Sequence, residues 1–103
     1  MTAKTAPNEL AVLDKYTGES IARVPEASKE DVERAIGRAQ MAFASYSKWP
    51  AHRRAKVLEA ASLLLTQRRE ELALTLSREA GKAWKYSLIE VDRAAETFKF
   101  AAE

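Results

Sequence analysis

The residue types that could do chemistry in this chain are few and scattered. Among 103 residues there is no cysteine and a single histidine, His52. Nucleophilic catalysis needs a Cys, Ser, Thr or Lys activated by a base beside it. His52 falls in the first turn of a helix next to Arg53 and Arg54, and no glycine-flanked serine accompanies it. It reads as a solvated surface residue. A metal site needs several ligands converging on one point, and one histidine cannot anchor that. Phosphate cradles need closely spaced glycines, whereas Gly18, Gly37 and Gly81 stand far apart. The sequence therefore nominates no catalytic, cofactor-binding or metal-ligating residue.

Two charged groupings remain. The stretch KWPAHRRAK carries Lys48, Arg53, Arg54 and Lys56 with no acid among them. With Trp49 as a stacking group it could contact a nucleic acid, but such binders carry a wider basic surface. The simpler expectation is structural. Cations at a helix N-terminus oppose its dipole, so at least one should pair with a carboxylate elsewhere in the fold. In the tail, Glu90 and Arg93 stand three residues apart. On a helix that spacing gives a surface pair of about 0.2–0.5 kcal/mol, and spacing alone favours this account of Arg93.

The elements that must position these groups follow from periodicity and punctuation. Residues 1–9 are small and polar and are expected to form a disordered leader. Over 10–25, Leu10, Val12 and Leu13 precede YTGE, and Ile21 and Val24 follow it. This predicts a β-hairpin with Gly18 left-handed in the turn and Pro25 closing the second strand. A lone hairpin is marginal in water, so it must lie on helices or pair with further strands. Ser28 and Asp31 form a capping-box pattern ahead of Val32, Ala35, Ile36, Ala39, Ala42 or Phe43, and Tyr46 at helical spacing. Gly37 costs that helix about 1 kcal/mol against alanine and predicts close approach of a neighbouring helix. Pro50 starts a second helix, with Ala55, Leu58, Ala61, Leu65, Leu72 and Leu76 on one face. Its run to Ala80 is long enough to predict a break near QRREE. Gly81 ends it, and a last helix carries Trp84, Leu88, Val91, Ala95 and Phe98 on one stripe up to Glu103. The expected class is mainly α: a hairpin, then three or four helices over 28–103.

Composition limits how these elements pack. The hydrophobic content is 47%, but 20 of those residues are alanine, and Leu, Ile, Val and Phe together number 21. Alanine adds little burial energy at ~25 cal/mol per Å², so the core should be thin and the alanine-rich faces should pack on something else. A net charge of +2 is too even for an obvious nucleic-acid or membrane footprint. No apolar run approaches the ~18 residues of a membrane span, and MTAKTAPNEL lacks the apolar stretch of a signal peptide. A cytoplasmic protein without nucleic-acid or membrane partners is expected.

The order of motifs resembles one known family. TGESIARVPEASKEDVERAIGRAQMAF is similar to the opening of aldehyde dehydrogenases, where a P-x-T-G-E turn leads through V-P-x-A-S into a helix of spaced alanines ending in Ala-Phe. Trp49-Pro50, then Arg54-Ala55-x-x-Leu58, the LL…RREELA run, and Glu79, Gly81 and Lys82 follow in the family's order, and IEVDRAAETFKFAAE resembles its next helix. The resemblance spans 12–103. It departs at DKYTGE, which replaces the usual Asn-Pro, and at Ala83, which replaces a common proline.

What the resemblance implies is specific. The chain would be an N-terminal fragment, and its hairpin and helices would belong to the α/β cofactor-binding domain of a larger enzyme and pack on a sheet formed elsewhere. That would explain a chain that stops within a helix. The family oxidises aldehydes to acids with NAD or NADP through a cysteine thiohemiacetal and an acyl enzyme. Its cysteine, its general-base glutamate, its oxyanion-holding asparagine and its glycine-bearing cofactor segments match no residue here, so this chain alone should bind no cofactor and catalyse nothing. Its partner would be the remainder of the same polypeptide, in a homodimer or homotetramer. Family branches acting on phosphorylated or carboxylated aldehydes can carry an arginine on the helix after G-K, which implies that Arg93 meets an anionic substrate group at the entrance. The alternative from another class is a free-standing helical interaction module without catalysis.

Overall fold

The structure, a computed structural model, describes residues 8–103. Of the expected leader, residues 1–7 lie outside the described residues, and Glu9 already belongs to the first strand. Strands β1 (Glu9–Leu13) and β2 (Ser20–Pro25) pair antiparallel, with Glu9 opposite Pro25, Val12 opposite Ala22, and a bulge between Val12 and Leu13. The turn is built by Asp14. Its carboxylate accepts the N–H groups of Tyr16 (2.9 Å) and Thr17 (3.0 Å), which holds its pKa below the usual carboxylate value. Gly18 closes the turn at φ 74°, where a side chain would be strained.

Four helices follow: α1 (Lys29–Tyr46), α2 (Ala51–Gln67), α3 (Arg69–Ala80) and α4 (Trp84–Ala102). The capping box at α1 is present on both arms. The Ser28 hydroxyl accepts the Asp31 N–H at 3.1 Å, and the Asp31 carboxylate accepts the Ser28 N–H at 2.9 Å. The break between α2 and α3 falls on Arg68, whose backbone (φ −101°, ψ 21°) leaves the helical region with neither glycine nor proline to force it. Its guanidinium reaches the Glu71 carboxylate, and Glu70 and Glu71 give α3 an acidic first turn. Gly81 ends α3 in the left-handed region at φ 66°.

Helix α4 lies along α2 and α3, and α3 also touches β1. The buried side chains sit there: Ala73 of α3, and Ser87, Val91 and Ala95 of α4. Helix α1 has none. Gly37 corrects the sequence expectation, because nothing lies within 4 Å of where its Cβ would stand and no described helix approaches it. The molecule is a slab of 50 × 42 × 16 Å with a radius of gyration of 18.3 Å, against about 13 Å for a compact domain of this length. The thin core is therefore spread into a sheet of helices rather than closed into a globule.

Candidate functional site

The α3–α4 elbow opens onto a recess lined by both charged and apolar side chains. Gly81 turns the chain, Lys82 and Ala83 cross, and α4 begins at Trp84 with no side-chain cap. One face of α4 is fixed by hydroxyl groups. Ser62 of α2 donates to the Ala95 carbonyl at 2.8 Å, and the Ser77 and Ser87 hydroxyls share a 2.8 Å hydrogen bond in the α3–α4 seam. Small serines let the helices approach while satisfying each buried oxygen. At the α3 N-terminus, Arg69 grips Asp92 with two parallel hydrogen bonds (2.5 and 2.7 Å), which hold the Asp92 carboxyl below its usual range.

The opposite face of α4 is therefore presented in a fixed register. Tyr86, Ile89, Glu90 and Arg93 recur at helical spacing and, with Lys82, line an open recess of about 330 Å³. Arg93 is exposed there. The expected Glu90–Arg93 pair is not made. Glu90 pairs instead with Lys82, across the elbow. Among the described residues no carboxylate lies within salt-bridge distance of Arg93, while the Arg93 backbone carbonyl accepts the Thr97 hydroxyl at 2.8 Å. Periodicity could not have found the lysine. Lys82 lies outside α4, and the positive φ of Gly81 is what brings it back over the helix.

The basic cluster also departs from expectation. None of Lys48, Arg53, Arg54 and Lys56 pairs with a carboxylate among the described residues. Arg53 instead stacks 3.6 Å over the Trp49 ring, which in turn leans on Tyr46 at 5.2 Å between centroids. An exposed cation–π contact of about 0.5–1 kcal/mol offsets the unfavourable dipole at this helix start. Among the described residues no three His, Cys, Asp or Glu side chains are grouped to hold a metal ion, and no helix is long and apolar enough to cross a membrane. Gly37 faces open space, and Gly81 faces the Lys15 side chain.

The chain matches known proteins along most of its length. The sequence profile of the aldehyde dehydrogenase family matches residues 1–103. Malonate-semialdehyde dehydrogenase 1 from Geobacillus kaustophilus is 40% identical over 100 residues, 97% of this chain and 20% of that protein. Aldehyde dehydrogenase 21 from Physcomitrella patens, solved in complex with the reaction product succinate, superposes with a TM-score of 0.90 at 38% identity over 95% of this chain and 20% of its own. Glyceraldehyde-3-phosphate dehydrogenase from Methanocaldococcus jannaschii, complexed with NADP, gives a TM-score of 0.89 at 31% identity, over 95% of this chain and 21% of its own. The chain thus spans about one fifth of the length of the relatives it matches.

Proposed function

The chain belongs to the aldehyde dehydrogenase family, and from that premise we propose that it is the N-terminal section of a longer NAD- or NADP-dependent enzyme that oxidises an aldehyde to a carboxylic acid. The observation that carries this reading is the 40% identity over nearly the whole chain with one fifth of a semialdehyde dehydrogenase. The slab shape supports it, since helices exposing Ile36, Phe43 and Leu64 fit a larger body better than water. In this reading no residue of this section holds the dinucleotide, which the wide separation of Gly18, Gly37 and Gly81 supports. In this reading the cofactor and the reacting groups belong to the rest of the polypeptide, and these 103 residues alone are inactive. The longer enzyme in this reading is a cytoplasmic homodimer or homotetramer.

Within that enzyme, Arg93 would meet the acid group of an anionic aldehyde. Its unpaired guanidinium on the exposed side of α4 supports this, as do relatives named for malonate semialdehyde and glyceraldehyde 3-phosphate. The test assays the complete polypeptide, following reduced nicotinamide, with carboxylated, phosphorylated and neutral aldehydes, beside its Arg93→Ala variant. The expected result is activity that favours the anionic substrates, with a loss of kcat/KM for those alone on substitution. If Arg93→Ala changes neither class, the substrate assignment fails. If no aldehyde is oxidised at all, the enzyme reading fails with it.

A further inference from the structure

We propose that Lys82 is a specificity-determining residue, which keeps Arg93 free for an anionic substrate by holding Glu90 away from it. This rests on the reading of Arg93 as the anion contact. On helix geometry alone, Glu90 and Arg93 are neighbours three residues apart and should neutralise each other. In the structure the Glu90 carboxylate turns to the Lys82 ammonium instead, and all three side chains line one recess with Tyr86 and Ile89. The lysine reaches this position because Gly81 ends α3 with a positive φ. Gly81 is held there by the β-hairpin, since the Lys15 N–H donates to the Arg78 carbonyl at 3.3 Å and the Lys15 side chain covers the glycine.

The charge count of the recess follows. Two cations and one carboxylate leave one net positive charge, and the pairing decides which cation is free. The ammonium is a compact point charge that satisfies one carboxylate, while the planar guanidinium is left for an incoming carboxylate or phosphate that it can grip with two hydrogen bonds. Tyr86 and Ile89 supply apolar wall for a short carbon chain. Removing Lys82 brings the recess to neutrality and leaves Arg93 as the nearest cation lining it with Glu90. The substrate then loses its partner and meets a carboxylate that repels it.

The experiment compares KM for a carboxylated aldehyde with KM for a neutral aldehyde of similar length, in the complete enzyme at one fixed low ionic strength. In Lys82→Ala the ratio of anionic to neutral KM should rise about threefold to tenfold, from an i,i+3 pair competing for Arg93 and from added repulsion, without a matching fall in kcat. Lys82→Arg should restore most of the ratio. Glu90→Gln, alone or added to Lys82→Ala, should bring it to the native value or below, because the competitor is gone. An unchanged ratio in Lys82→Ala, or a raised one in Glu90→Gln, overturns the proposal. Arg93→Ala separates the two readings. If it raises the ratio while Lys82→Ala does not, only the role of Lys82 fails. If neither moves it, the anion contact itself is wrong.

Discussion

Helices α1 and α4 are nearly equal in length, 18 and 19 residues, and both carry an apolar stripe at helical spacing. Their fates differ. Helix α4 buries Ser87, Val91 and Ala95 and has no side-chain cap, whereas α1 has a complete capping box and buries nothing. Val32, Ile36 and Phe43, the core of its stripe, remain 49, 51 and 66% exposed. One helix is held by its neighbours and the other by its own first turn. Most helical stability in proteins comes from packing of the apolar face, so α1 should be the weaker element until something covers it.

The sharpest way to test that contrast is to compare the same substitution in two contexts. In this chain, Ile36→Ala should change stability by less than about 0.5 kcal/mol, since the side chain is exposed and alanine is the better helix former. In the complete polypeptide, where the proposed body of the enzyme covers α1, it should cost about 2–5 kcal/mol. Urea unfolding of both proteins measures this. Equal small effects in both would leave α1 uncovered in the enzyme, and a large effect in the short chain would point to self-association. The converse substitution is in the packed block. Ala73 is fully buried in α3, and Ala73→Leu should destabilise even the short chain by about 1–3 kcal/mol through overpacking.

Gly81→Ala comes next, because it strikes the joint that sets α4 against α3. Its φ of 66° costs a residue with a side chain about 1–2 kcal/mol, and the new Cβ would stand 2.9 Å from the Cβ of Lys15. The hairpin turn must shift to admit it. Amide hydrogen exchange should show reduced protection in α3, α4 and the hairpin, with α1 unaffected. Loss of protection in α1 as well would mean that the two regions are one cooperative unit.

How much of this was legible in the sequence follows the same division. Features fixed by a few adjacent residues were readable: the capping box at Ser28, the left-handed Gly18 and Gly81, the break near Arg68, and the hairpin closed by Pro25. The apolar stripe of α4 marks Val91 and Ala95, which are buried, but not Ser87, its most buried member, because serine does not look apolar. It is buried because Ser77 satisfies its hydroxyl from another helix. The Lys82–Glu90 pair is hidden for a related reason, since helical spacing points to Arg93 and only the elbow brings the lysine over. Gly37 failed in the opposite direction, because a glycine suited to close approach does not supply the neighbour.

The smallest effect tests whether α1 is held locally. Ser28→Ala removes one arm of the capping box and should cost the helix about 0.5–2 kcal/mol, read as faster exchange in its first two turns with α2–α4 unchanged. Acid should act through the other arm. The Asp31 carboxyl is held below its ordinary value of 3.8, first by the Ser28 backbone N–H and then by its hydroxyl and Arg34. A depressed folded pKa means that the unfolded chain takes up the proton first as pH falls. The contribution is therefore fully present above about pH 3.8 and is lost as pH drops through the lower, folded value. Asp92 and Asp14 are depressed in the same sense, so acid loosens all three regions in principle. The order is what distinguishes them. Helix α1 has no packing behind its cap, so it should lose protection at a higher pH than α4, where the serine hydrogen bonds and buried Val91 persist after Asp92 is protonated. Loss of α1 and α4 at the same pH would show that the cap is not what holds α1.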